Sequence, residues 1–225
     1  MTDDFRKYLC EFIGTFTLVL FAAGAVVVDG LIGGGIGIIG SGLISGLVIT
    51  VVIYAFGHVS GAHVNPALTL ASCLIGRFPK RLLFGYICAQ MTGSAIAGML
   101  LLWTLGDFNE MGANLPRYNI SQFTAVLLEF LLAFLLMWVI AGVGLDKRAH
   151  GPFAGVTIGA LVGIEVMVFG SVSGAAMNPA RAFGPYIAMG SFEHYWIYVV
   201  GPIFGMVAGA YTYQFTHRLK DVTKA

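Results

Sequence analysis

The chain has 225 residues, of which 58% are hydrophobic and 10% charged. A soluble domain carries about 25% charged residues, so this composition argues against a water-soluble globule. The net charge of +1, from 12 basic and 11 acidic residues, provides no basic surface for nucleic acid and no acidic tail.

At the N-terminus, Met1-Thr2-Asp3-Asp4 is acidic and no small-residue cleavage site follows a short apolar core, so no removable signal is expected. A bilayer crossing takes about 20 apolar residues. Six such runs follow, at roughly 8–28, 38–57, 82–105, 122–145, 153–170 and 195–215. The joins between them are short, and no linker or low-complexity stretch interrupts them, which predicts one transmembrane domain over 1–225. The 31 glycines suit close contact between membrane helices. Cys10, Cys73 and Cys88 lie in apolar runs without paired spacing, so neither a disulfide framework nor a metal site is predicted, and no cofactor is implied.

Ten of the 12 basic residues fall in alternate joins or at the ends: Arg6 and Lys7; Arg77, Lys80 and Arg81; Lys147 and Arg148; Arg218, Lys220 and Lys224. The excess of positive charge on the cytoplasmic side then predicts a cell-membrane protein with both termini in the cytoplasm.

Two segments are too short to cross. Phe56-Gly57-His58-Val59-Ser60-Gly61-Ala62-His63-Val64-Asn65-Pro66-Ala67 and Phe169-Gly170-Ser171-Val172-Ser173-Gly174-Ala175-Ala176-Met177-Asn178-Pro179-Ala180 match at nine of 12 positions. Glu11-Phe12 and Glu129-Phe130 also stand at equivalent places. The chain therefore reads as a duplication, about 5–105 and 122–216, of three crossings plus one short segment. Three is odd, so the second copy enters from the opposite face, an inverted repeat with a site between its halves.

Asn is a preferred N-cap and Pro suits the first helical position. Asn65-Pro66-Ala67 and Asn178-Pro179-Ala180 therefore predict half-helices over 67–75 and 180–188, each about 14 Å long at about 1.5 Å per residue. Their positive ends would meet at mid-bilayer. The stretch ahead of each Asn reads as extended backbone, tolerated in a membrane only where it lines a wet cavity. The carbonyls of Gly61, Ala62, His63 and Val64, and of Gly174, Ala175, Ala176 and Met177, would face permeating molecules. Arg181 is too expensive to place against lipid, which leaves a cation-repelling donor in the lumen or a structural ion pair.

These motifs, with Ser60-Gly61-Ala62-His63, Arg181, Glu11 and Glu129, resemble the major intrinsic protein (aquaporin) family over essentially the whole chain. Aquaporin selectivity is understood as pore diameter, lining donors and an electrostatic barrier, and the expectations here follow that description. The resemblance implies an all-α membrane fold of six crossings and two re-entrant half-helices in an inverted repeat. It also implies one pore per protomer, a homotetramer in the lipid bilayer, and water and small neutral solutes as the molecules handled. Glu11 and Glu129 would support the short loops by accepting backbone N–H groups.

The family's constriction maps onto Ser45, 20 residues before Asn65, onto Val166 and Ala175, 12 and three before Asn178, and onto Arg181. Water-restricted members have Phe and His at the first two positions, and glycerol facilitators have Trp and Gly with Phe third. The small set here is similar to nodulin-26-like channels and their bacterial relatives, which pass glycerol, urea or undissociated metalloid acids. Ala182 and Tyr195-Trp196 resemble the water-channel pattern instead, so a water-restricted channel is the alternative.

Glu165, beside Val166, either tunes the mouth or pairs with a neighbouring loop. His63 resembles the family's loop histidine. Histidine as a residue type titrates near neutrality, which makes His58, His63 and His150 the candidates for pH gating. A secondary transporter shares inverted repeats with broken helices, but no coupling-ion cluster is visible. No nucleophile, zinc or phosphate-loop constellation points to an enzyme.

Overall fold

The computed structural model describes residues 2–146, 148 and 151–217, so Lys147, His150, Arg218, Lys220 and Lys224 lie outside the described residues. The described chain forms eight helices: α1 Asp3–Leu31, α2 Gly37–Ser60, α3 Pro66–Leu74, α4 Leu83–Leu105, α5 Gln122–Ile140, α6 Ala154–Ser173, α7 Pro179–Met189 and α8 Ile197–His217. Five of these segments are long and apolar enough to cross a membrane; the segment from Gln122 includes a wide turn, Ala141–Leu145, that continues α5. The sixth long helix, α8, is the least uniformly apolar. It carries Pro202, Thr212 and Gln214 and packs along α5.

Helix boundaries follow capping and backbone satisfaction. α1 starts earlier than hydropathy alone predicts, because the Thr2 hydroxyl accepts from Phe5 N and Asp3 and Asp4 occupy the positive first turn. α2 and α6 also run further than predicted, through Ser60 and Ser173. In an apolar surrounding each further helical turn satisfies its own backbone. Both helices stop at a left-handed glycine, Gly61 at φ 86° and Gly174 at φ 99°. Only four residues then separate each long helix from its capped half-helix.

Those loops are not extended throughout, contrary to the sequence-based expectation. Ala62, Val64, Ala175 and Met177 have φ of 47°, 41°, 44° and 52°. For L-residues this region is disfavoured by roughly 1–2 kcal/mol each, so other groups must hold the loops in place.

The long helices pair as α1 with α4, α5 with α8, and α2 with α6. The α2–α6 crossing is set by small residues. A Cβ on Gly46 would lie 2.5 Å from the Gly159 carbonyl oxygen, and one on Gly159 would lie 2.4 Å from that of Gly46. α3 packs against α8 and α4, and α7 against α4 and α1, so each half-helix is enclosed by long helices. Large apolar side chains such as Leu47, Val51, Trp103, Phe123, Ile164 and Phe204 project outward, as a lipid-facing surface requires. At one end Arg81 pairs with Asp4. Arg148 pairs with Asp146 and donates to the His217 carbonyl; its guanidinium holds the Asp146 carboxyl well below the usual carboxylate range.

Candidate functional site

Each short loop is organised by one carboxylate of a long helix. Glu11, fully buried in α1, accepts from Ser60 Oγ (2.8 Å) and His63 N (2.9 Å) at one oxygen, and from Val64 N (2.6 Å) and Gln90 Nε2 (2.8 Å) at the other. Glu129 of α5 accepts from Ser173 Oγ (2.9 Å), Ala176 N (3.1 Å) and Met177 N (2.8 Å). A buried carboxylate saturated by donors is the physical counterweight to the left-handed backbone, since hydrogen bonds to a charged group contribute about 1.5–3 kcal/mol each.

Two tyrosines absent from the sequence-based reading complete the support. Tyr86 Oη donates to the Ser60 carbonyl (2.8 Å), and Tyr198 Oη donates to that of Ser173 (2.6 Å). Their recurrence at equivalent places in the two halves is the signal that would have found them.

The half-helices meet as their caps require. Asn65 Oδ1 accepts from Ala67 N and Leu68 N, and Asn178 Oδ1 accepts from Ala180 N and Arg181 N. The two amides then exchange bonds across the junction. Asn65 Nδ2 donates to the Met177 carbonyl at 2.9 Å, and Asn178 Nδ2 donates to that of Val64 at 2.8 Å. One N–H of each amide remains for the lumen. Pro66, Ala67, Pro179 and Ala180 are buried behind the two asparagines and do not face the cavity.

That cavity has a volume of about 490 Å³. It runs from Arg181, Ser45 and Val166, past Asn65 and Asn178, to Tyr54, Leu145 and Pro152. One wall is apolar, built by Ile49, Leu136, Ile158 and Val162, and the other is the loop backbone. Ser45, Val166, Ala175 and Arg181 all line it, as do His58 and His63. Ser45 turns its hydroxyl back onto the Ser41 carbonyl (2.8 Å). His63 Nδ1 sits 3.1 Å from Thr69 Oγ1, with its ring against Phe78.

The expected set of free carbonyls needs correction. Those of Val64 and Met177 already accept the asparagine amides, and that of Gly174 accepts from Asn114 Nδ2 (2.7 Å) and lies off the cavity wall. Among the described residues no protein donor reaches the carbonyls of Gly61, Ala62, His63, Ala175 or Ala176.

Arg181 is not in an ion pair among the described residues. Its Nη1 donates to the Gly112 carbonyl (2.9 Å) and to Asn114 Oδ1 (2.5 Å), and its Nη2 donates to the Ala22 carbonyl (3.4 Å). The charge is therefore dispersed over neutral acceptors at the cavity, with no carboxylate in direct contact among the described residues. The join between α4 and α5 turns inward and supplies two of these acceptors. Only the apolar tract around Asn114 hints at this in the sequence.

Glu165 answers neither of its two readings. It is 3% exposed, does not line the cavity, and neither oxygen has a hydrogen-bond partner among the described residues.

The pattern of the family described as Major intrinsic protein matches residues 1–213. The chain is 42% identical over 225 residues to a Zea mays protein named Aquaporin NIP1-1, covering 98% of this chain and 79% of the maize protein. It is 38% identical over 225 residues to Nodulin-26 of Glycine max, covering 98% of this chain and 82% of the soybean protein. The fold is similar to the X-ray structure of the aquaglyceroporin from Plasmodium falciparum, with a TM-score of 0.82 and 25% sequence identity over 93% of this chain and 95% of that one. Two capped half-helices joined through their asparagines, a cavity past that junction, and a family match over nearly the full length lead to one conclusion: the chain belongs to the major intrinsic protein family, whose members are passive membrane channels and not enzymes.

Proposed function

We propose that this chain is a multi-pass membrane channel for water and small uncharged solutes, with Ser45, Val166, Ala175 and Arg181 as its selectivity filter and glycerol-sized molecules among its substrates. The carrying observation is the small filter. Among the described residues that line the cavity, the only aromatic rings are those of Tyr54, His58 and His63, and none belongs to the filter set. Constriction width and donor placement decide which solute fits. A solved relative named as an aquaglyceroporin supports the same reading.

The two features that favour restriction to water lie off the lumen. Ala182 is fully buried against neighbouring helices, and Tyr195 packs among Phe183, Tyr186 and Phe192. Exclusion of ions and protons follows from Arg181 and the two half-helix N-termini, which together make the midplane unfavourable for a cation. The paired asparagine amides orient each passing hydroxyl.

We read residues 1–225 as one channel domain of two inverted repeats, assembling as a homotetramer in the cell membrane with both termini cytoplasmic. The Arg81–Asp4 and Arg148–His217 contacts, which tie basic joins to the first and last helices near the two ends of the chain, support that orientation.

The test is stopped-flow light scattering on proteoliposomes under water, glycerol, urea and boric acid gradients. Permeation by at least one solute besides water is expected, and water alone rising above the lipid background would reject the wide filter. Ser45→Phe is expected to lower glycerol flux by about tenfold, the scale on which a pocket discriminates by bulk, while water flux falls less. Equal loss of both would remove Ser45 from the filter.

A further inference from the structure

Two of the four filter members are held by a residue that is itself outside the filter. Asn114 lies between α4 and α5 and is 4% exposed. Its Nδ2 donates to the carbonyl of Gly174, next to Ala175, at 2.7 Å, and its Oδ1 accepts from Arg181 Nη1 at 2.5 Å. Its own carbonyl accepts from Tyr186 Oη at 2.8 Å, which anchors it to α7. One amide thus bridges the loop to the guanidinium.

The segment just before it is conformationally unusual. Asn109, Glu110, Met111 and Gly112 have φ of 46°, 45°, 55° and 68°, a continuous left-handed turn. Three of the four are not glycine, so the conformation persists only where surrounding contacts impose it. Those contacts are with α1. Asn109 Nδ2 donates to the Val26 carbonyl (3.1 Å), Met111 is fully buried, and Gly112 approaches so closely that a Cβ there would lie 2.5 Å from the Ala23 carbonyl oxygen. The result is that the Gly112 carbonyl faces Arg181, accepting from the same Nη1 as Asn114 at 2.9 Å.

Ser45, Val166 and Ala175 carry no ring to pack on the guanidinium, so its position depends on these acceptors. We propose that Asn114, seated by the left-handed turn Asn109–Gly112, is a positioning residue that sets the width of the filter by fixing Arg181 and the Gly174–Ala175 backbone to one another. Asn114 lies behind the guanidinium, away from the lumen. Truncating it opens space into which Arg181 recedes, so the passage widens and solutes larger than water gain most. This inference rests on the filter reading given above.

The experiment compares the parent chain with Asn114→Ala, Glu110→Val and Ser45→Phe in proteoliposomes at matched protein content. It reads the ratio of glycerol to water permeability. Glu110 is exposed and does not line the cavity, so Glu110→Val acts only by making the left-handed turn harder to hold. It reads the same quantity if Asn114→Ala does not reconstitute. Both variants are expected to raise the ratio by about fivefold, the factor that one net hydrogen bond represents. A merely structural role for the join predicts that both fluxes fall together at constant ratio, which would overturn the proposal. If Ser45→Phe lowers the ratio while Asn114→Ala and Glu110→Val leave it unchanged, this inference fails and the filter reading stands. If Ser45→Phe also leaves it unchanged, the filter reading fails and takes this inference with it.

Discussion

Glu11 and Glu129 do the same work with different partners, and the difference lies in single residues. Gln90 of α4 donates to Glu11 at 2.8 Å. The corresponding place in α8 is Pro202, which has no side-chain donor, and Glu129 instead spans Ala176 N with both oxygens, each at 3.1 Å. Glu165 is the contrasting acid. A buried carboxyl with no partner is destabilising, and an apolar side chain of similar volume removes that penalty. Glu165→Met is therefore expected to stabilise the protein by about 1 kcal/mol or more without changing water flux, as read by thermal unfolding in detergent and by stopped flow. Earlier unfolding, or loss of flux, would mean that Glu165 has a partner or a role in conduction.

Elements are held together here by backbone approach more than by large side chains. The α2–α6 crossing shows how little room there is. A Cβ on Gly159 would lie 2.1 Å from Thr50 Oγ1 as well as 2.4 Å from the Gly46 carbonyl oxygen. Thr50 Oγ1 already bridges the helices, its single O–H shared between the carbonyls of Gly46 (3.0 Å) and Gly155 (3.2 Å), so it cannot simply move aside. Gly159→Ala is expected to destabilise by about 1–3 kcal/mol, the usual cost of overpacking. Gly57→Ala is the control, because its Cβ would meet only Ile53 Cγ2 at an ordinary 3.8 Å. Size-exclusion profiles and unfolding midpoints in detergent check both, and equal behaviour of the two variants would contradict a close crossing.

At the scale of the whole molecule, the lumen is bounded by elements of a single chain, while the outer surface is apolar. Conduction through that lumen therefore does not need a neighbouring protomer. In the homotetramer proposed above, co-assembled from parent chains and chains closed by a bulky filter substitution, solute flux is expected to fall linearly with the fraction of closed chains. A steeper fall would show that protomers conduct together. Liposome flux measured against the mixing ratio decides between them.

The parts legible in the sequence were those set by neighbours a few residues away. Apolar length marks a crossing, an Asn-Pro pair starts a helix, and a repeated dodecamer marks a duplication. Each of these depends on local hydrogen bonding and on hydropathy that can be read along the chain. The expectation of extended loops failed because left-handed backbone at Val64 and Met177 is stabilised by carboxylates 53 and 48 residues away. The role of Asn114 was not legible because its partner Arg181 is 67 residues distant. Only the tertiary structure decided where Arg181 points and how the two asparagines exchange bonds across 112 and 114 residues. Those positions are fixed by donors and acceptors that must be satisfied away from water, and folding alone brings them within reach.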